Sequence, residues 1–437
     1  FDYVEDATID KWGNAYVAGR ISANPKVNDI NISTGGYGAE DGYLAKFDRC
    51  GNLEWMRIIG NNLGDFTAGV AVDDAGNVYV TGRAPQGQFY SPCKDTLFPV
   101  NSAVTFVAKY DGAGCMKWLR GMNGFSAFPL SRNIKMGSDG KLYVWMRCQW
   151  HADPVVDNIK IDYITNVFMR MDTSGAIEHH KLIDSMPPEL VKFVMDEDDN
   201  LYLYYYTTSS GSGSYKIGNT TVQAPQDCYL TVKLDKDFNS LTHRVNYRAS
   251  LWANKIKDGK MYSFGRVRVG ASYHGDTTHA IHSRQSVYAD KVYISDLDLN
   301  ALQSSQPDTQ RVQAIKCEDL ALLGNHLYFV IPNSGFMKWS DIDMLNFDLF
   351  APDFNVLVRF SKDNLIGTIV DTIKGFGITY VEDFVRVMET DRQGNIYMAG
   401  QYAGYLTLGE TVTPNGGGAS PDGFIARWGL PCTDTTD

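Results

Sequence analysis

Three imidazoles and a carboxylate fall within nine residues of this chain: His274, Asp276, His279 and His282. Histidine nitrogens and carboxylate oxygens so spaced suit zinc or another divalent ion. The competing reading is a solvated polar loop whose side chains do not converge. The expectation is therefore no metal and no cofactor, with these four as the candidate ligands. A second cluster, Lys338 to Phe350, mixes aromatics with acids. Its Trp339, Asp341, Asp343 and Phe347 can form a platform that stacks on a sugar or anchors a protein. The alternative is that they only pack that segment onto its scaffold. Asp196-Glu197-Asp198-Asp199-Asn200 has the carboxylate density of a calcium loop, and His179-His180 has the look of a catalytic pair. Asn31 and Asn219 open glycosylation sequons.

What positions these residues follows from composition and repetition. The chain has 437 residues, 40 Lys plus Arg against 51 Asp plus Glu, and a net charge of −11. No basic run accompanies that acidic balance, which argues against a nucleic-acid partner. No apolar stretch approaches the ~20 residues needed to span a bilayer. The 41 Gly, 25 Tyr and 21 Phe point to many turns and strands. Seven scattered cysteines form no C-x-x-C pair, and their odd number leaves at least one thiol unpaired within the chain.

Asp10-Lys11-Trp12-Gly13-Asn14-Ala15-Tyr16-Val17-Ala18-Gly19 recurs at 73–82 and again at 391–400, with degraded copies around Tyr143, Tyr202, Tyr262 and Tyr328. The tyrosines 16, 79, 143, 202, 262, 328 and 397 are 59 to 69 residues apart, so seven copies are present. A second signal runs in phase: Asp48-x-x-Gly51 then Trp55, Asp111-x-x-Gly114 then Trp118, Asp172-x-x-Gly175 then His179. His179 thus occupies a tryptophan position and reads as packing. Alternating strands such as 43–47, 106–110, 229–234 and 424–428 precede the turns.

Each unit then holds two tight hairpins, the Asp capping turn N–H groups and the Gly supplying a positive φ. Four strands repeated seven times predict an all-β fold, a seven-bladed β-propeller with four-stranded antiparallel blades. An open solenoid would need polar caps that neither end shows. The propeller is expected over residues 1–429, with blades at about 1–60, 61–124, 125–186, 187–246, 247–308, 309–372 and 373–429. The seventh lacks a fourth-strand motif after 424–428, so it is expected to stay three-stranded or to be completed from upstream of Phe1. Adjacent first and seventh units would let Cys50 approach Cys432. Residues 430–437 read as the start of a polar Thr/Asp linker to further domains beyond Asp437.

Aspartates that recur at hairpin positions serve the hairpins, and Asp196 to Asn200 is such a turn. G-x-S-x-G, a phosphate loop, H-E-x-x-H and the S-x-D-x-G-x-x-W box of sialidase-type propellers are all absent from the sequence. Variable segments at roughly 20–42, 83–105, 147–166, 206–227, 266–290, 331–354 and 401–422 are expected on the face opposite the hairpins, where any binding surface would lie.

In these motifs the chain resembles the SBBP β-propeller repeat family, and the stretch from Tyr405 to Arg427 follows that pattern closely. The resemblance implies an extracellular or cell-surface location, with export by the type 9 secretion system as one route. It brings no catalytic residues. The functional expectation is a non-enzymatic propeller that binds a protein or glycan at a cell surface. The alternatives are a glycan-active hydrolase or lyase and a structural module of a larger surface or secretion assembly.

Overall fold

A computed structural model describes residues 3–22, 26–27, 30–31, 40–59, 64–84, 87–91, 93, 96–100, 104–123, 133–148, 155–156, 159–160, 165–183, 189–207, 213–225, 228–247, 249–268, 272–273, 276–277, 288–305, 317–332, 354–376, 385–402, 405–408, 411–412 and 422–429. Among them all regular structure is strand, and no helix is long and apolar enough to cross a membrane.

The strands form seven antiparallel sheets, the blades of a seven-bladed β-propeller. In the first, Tyr3–Ile9, Ala15–Ser22, Glu40–Phe47 and Leu53–Ile59 pair in chain order. The second is built from Phe66–Val72, Val78–Ala84, Val104–Tyr110 and Met116–Asn123, the third from Ile134–Met136, Leu142–Cys148, Thr165–Met171 and Ile177–Ile183. Glu189–Met195, Leu201–Tyr206, Cys228–Leu234 and Ser240–Tyr247 make the fourth; Ala249–Lys257, Lys260–Arg268, Tyr288–Asp296 and Ala301–Ser304 make the fifth. The sixth contains Ala321–Leu323, His326–Pro332, Phe354–Ser361 and Gly367–Phe376. In the seventh, three strands are described: Val385–Thr390, Ile396–Tyr402 and Asp422–Trp428.

Contacts divide the chain into two compact units. One comprises Phe1–Met186, Glu389–Ala399 and Gly423–Asp437, the other Pro187–Met388 and Gly400–Asp422. Within the first unit, alternation along each strand buries both faces of a blade. Val78 and Val80 of the second blade pack with Tyr16, Ala18, Leu44 and Trp55 of the first. The intervening Tyr79 packs the other way, with Ile134, Leu142 and Val144 of the third. In the second unit Tyr202 and Tyr204 meet Met261, Tyr293 and Leu299 in the same manner. Each such side chain, fully withdrawn from water, contributes about 1.5–3 kcal/mol, and one blade alone could bury neither face.

The repeat tyrosine is held by the turn that precedes it. The Asp10 carboxylate accepts from the backbone N–H groups of Trp12 and Asn14 (both 2.9 Å), from the Asn14 amide (2.8 Å) and from the Tyr16 hydroxyl (3.2 Å). Asp73 and Asp196 repeat all four bonds to Tyr79 and Tyr202, and Asp391 holds Asn395 and Tyr397. The recurring aspartates are therefore hairpin caps, Asp196 included.

This arrangement sets an acid limit to stability. Burial pushes the Asp48 and Asp111 carboxyls up. Their hydrogen bonds outweigh it, from Asn52 and the turn N–H groups at Asp48 and from Lys117 and the turn N–H groups at Asp111, and hold both below the usual carboxylate range. Asp172 is held low chiefly by the Ser174 hydroxyl. Burial holds His180 and His243 below the ordinary imidazole range, with the charges of His179 and Arg244 adding to it. All five depressed values mean that the unfolded chain binds protons first, so stability falls with falling pH. A melting temperature followed from pH 7 downward should decline gently below about pH 6.5 and steeply below about pH 4. Stability that rose between pH 6 and pH 3 would contradict this account of the turns.

Candidate functional site

Of the residues singled out for chemistry, Trp339, Asp341, Asp343, Phe347, His274, His279 and His282 lie outside the described residues. Asp276 is described only as backbone, in the short strand Asp276–Thr277. Among the described residues no group of three or more His, Cys, Asp or Glu side chains could hold a metal ion. His179 stands opposite Arg170 as Trp55 stands opposite Lys46 and Trp118 opposite Lys109. Those tryptophans point their indole N–H into the next blade, Trp55 to the Gly112 carbonyl (3.0 Å) and Trp118 to that of Thr173 (3.2 Å). His179 is thus on a strand register used for packing.

Buried polar groups that spacing did not reveal lie along the first strands. Asp6, 1% exposed, accepts from the backbone N–H of Val70 in the next blade (3.0 Å). Asn133 bonds the Thr81 hydroxyl of the preceding blade and donates to the Trp145 carbonyl (3.1 Å). A Cβ on Gly69 would lie 2.6 Å from the Asn133 Oδ1, so glycine makes room for this crossing. The Thr67 hydroxyl makes a bifurcated bond to the carbonyls of Gly19 and Tyr43 (2.7 and 2.8 Å).

The second unit carries the counterpart. With the Asn254 amide turned so that its oxygen faces Lys192, its nitrogen donates to the Ser263 hydroxyl (2.7 Å) and its oxygen accepts from the Lys192 ammonium (3.2 Å). Asp319 accepts from the N–H groups of Leu320 (3.0 Å) and Met388 (3.1 Å) and lies 3.6 Å from Lys255 Nζ. The Cys317 thiol donates to the Asp319 carbonyl (3.1 Å), and burial pushes its pKa far up, so it remains a thiol. A base and a nucleophile need lone pairs free for a substrate. Here the carboxylates of Asp6 and Asp319 are committed to backbone N–H groups of the next first strand. The belt works as a set of latches between blades.

Asp41 is placed differently. It is 3% exposed, its Oδ1 has no hydrogen-bond partner, and burial raises its carboxyl above the usual range. It lies at the start of a third strand, away from the hairpin turns.

Several insertions between second and third strands run along the outer edge of a blade. Val155–Val156 pairs through Val155 with Asn123, so an insertion of the third blade extends the sheet of the second. Tyr405–Leu408, from the seventh, likewise pairs with Gly367–Phe376 of the sixth. In the fourth blade Gly213–Ile217 and Thr220–Ala224 form a hairpin with Tyr215, Ile217, Val222 and Ala224 buried. Its tip residue Asn219 accepts from the Ser240 N–H, beside the far turn (2.9 Å). In the second, Cys93 is disulfide-bonded to Cys115 of the turn after the third strand. The physical reason is the outer edge: a fourth strand exposes unpaired backbone groups, and an added strand or hairpin covers them.

Comparison with known proteins adds the following. The model of the SBBP family, a beta-propeller repeat, matches residues 54–84. No curated protein matches the chain. Among solved structures, the WD40 domain of Neurospora crassa Pan2 is 9% identical, covering 90% of this chain and 85% of that one, with a TM-score of 0.44. A Synechocystis apocarotenoid oxygenase variant is 11% identical over 98% of this chain and 96% of that one, also at 0.44. A Bacteroides caccae protein of unknown function is 8% identical over 81% and 94%, at 0.37. Residues 54–84 carry the match to the SBBP beta-propeller repeat.

Proposed function

We propose that this chain is a non-enzymatic propeller of the cell exterior or outer surface that binds a protein or glycan through its inserted segments. The observation that carries the reading is how the polar side chains are used. The repeat aspartates cap hairpins, and the first-strand carboxylates Asp6 and Asp319 bind N–H groups of the next blade. That use leaves them to the scaffold, while the inserted segments vary in length and composition. The disulfide Cys93–Cys115 fastens one insertion to its blade, which favours a rigid presenting surface, and a disulfide of this kind belongs to an oxidising compartment. The acid and aromatic residues Trp339, Asp341, Asp343 and Phe347 are the proposed contact residues. Export by type 9 secretion is consistent with the repeat family.

A glycan array probed with the purified protein, followed by calorimetry on the best hit, tests this. Saturable binding is expected, weakened at least tenfold in the double variant Trp339→Ala/Phe347→Ala, with the glycan recovered unchanged by mass spectrometry. Cleaved glycan would overturn the non-enzymatic reading in favour of a hydrolase or lyase. Binding that the double variant leaves intact would overturn the assignment of contacts.

A further inference from the structure

We infer that Cys50 is joined to Cys432, so that a disulfide fastens the last strand of the seventh blade to the first blade. Cys50 is disulfide-bonded. It belongs to the turn between third and fourth strands of the first blade, where its N–H donates to the Asp48 carboxylate (2.8 Å). Of the other six cysteines, Cys93 and Cys115 are bonded to each other, and Cys228 and Cys317 are buried free thiols. Cys148 and Cys432 remain.

Topology decides between them. Cys148 ends the strand Leu142–Cys148, whose hairpin turn is at its opposite end. At ~3.3 Å per residue that strand carries Cys148 about 20 Å from its turn. Its blade is also separated from the first by the whole of the second. A disulfide requires Cα atoms about 5.5–6 Å apart, which this placement forbids.

Cys432 lies outside the described residues, three positions past Gly429. Three residues reach at most about 10 Å. Gly429 lies against the side chain of Asn395, where an added Cβ would be 2.3 Å from Oδ1. Two residues on, the Tyr397 hydroxyl donates to the Gly13 carbonyl of the first blade (2.9 Å). The Cβ position at Gly13 is 3.4 Å from that of Arg49, the neighbour of Cys50. The last strand therefore ends beside the turn that holds Cys50, and all of these residues belong to the first compact unit.

Forming the bond removes two protons and two electrons from the two thiols. A small-molecule or protein disulfide accepts both electrons and leaves as two thiols. The inference is independent of what the propeller binds.

Peptide mapping of the oxidised, non-reduced protein tests it. Expected are a Cys50–Cys432 linked peptide, a Cys93–Cys115 linked peptide, and three thiols titratable after denaturation. A Cys50–Cys148 peptide, or an alkylatable Cys50, would overturn it. Melting of the oxidised protein is the second arm. Cys50→Ser and Cys432→Ser should each lower the melting temperature by the same several degrees, and the double variant no further. Unequal losses, or losses that add, would overturn the pairing.

Discussion

Replacing Gly19 with alanine should abolish folding or lower stability by well over 3 kcal/mol, more than ordinary overpacking costs. A Cβ at this position would lie 1.9 Å from the carbonyl oxygen of Tyr3 and 2.9 Å from the Tyr43 ring. The obstacle is backbone, which cannot rotate away as a side chain can. The cause is a β-bulge: Val4 pairs with Gly19 and Asp6 with Ala18, leaving Glu5 extra. A bulge bends the strand toward its partner, and glycine is what the partner can offer there. Gly82 repeats the situation opposite the extra residue Ala68, with Phe66 O at 2.4 Å and Phe106 Cζ at 2.6 Å from the added atom. Thermal melts of Gly19→Ala and Gly82→Ala should both show the loss. Gly112→Ala, whose Cβ meets nothing nearer than 3.5 Å, should melt within a degree or two of the parent. Equal melting of all three would refute the close approach.

The second large effect is expected at Asp196. Its carboxylate accepts from the N–H groups of Asp198 and Asn200 (3.0 and 2.9 Å), from the Asn200 amide (2.9 Å) and from the buried Tyr202 hydroxyl (3.0 Å). Alanine orphans all of these donors, and orphaned buried donors cost about 1–3 kcal/mol each. Part of that is recovered where water reaches the turn, so a loss of roughly 3–4 kcal/mol is expected by chemical denaturation. Asp196→Asn keeps one acceptor oxygen for the backbone and should lose about half as much. Asp74→Ala changes an exposed turn residue and should stay within about 0.5 kcal/mol. A calcium-dependent midpoint that Asp196→Ala removes would instead revive the carboxylate run as an ion site.

The blade count was readable in sequence because the cap and the tyrosine are six residues apart, a purely local relation. The degraded copies have local reasons as well. In the third blade the capping role moves to Asp139, which accepts from Lys141 N–H (2.9 Å) and the Tyr143 hydroxyl (3.1 Å). In the fifth, Lys257 pairs with Lys260 around a two-residue turn. Asp258 and Gly259 both have positive φ there (52° and 68°), so no cap is required. In the second turn of later blades Phe238 and Leu299 hold the left-handed position that Gly51 holds earlier (φ 61°, 64° and 84°). Both are fully buried, which offsets the ~1–2 kcal/mol that such a backbone costs.

The first-strand belt was not readable. Corresponding positions carry Asp6, Gly69, Asn133, Lys192 and Asp319, three kinds of polar or charged side chain and one glycine, and no pattern links them. What they share is a partner in the neighbouring blade, as far as 64 residues away for Asp6 and 69 for Asp319. The lysines two positions before the turn aspartates Asp48, Asp111 and Asp235 have a role that their spacing does not announce. Lys46, Lys109 and Lys233 place their ammonium groups 5.2–5.7 Å from the rings of Tyr16, Tyr79 and Tyr202. The edge strands escaped because two residues such as Val155–Val156 carry no periodicity, and only the neighbouring sheet makes them a strand.

Amide hydrogen exchange at the turn residue four positions after each capping aspartate, read for Asn14, Asn77, Asn200 and Asn395, tests the structural role of these acids most directly. Protection equal to that of the central strands is predicted, at about 10⁴ or more in a fold of ordinary stability, unchanged by calcium or its chelation. Exchange at the rate of open loops, or protection that appears only with added ion, would mean that the aspartates belong to a site and not to the scaffold.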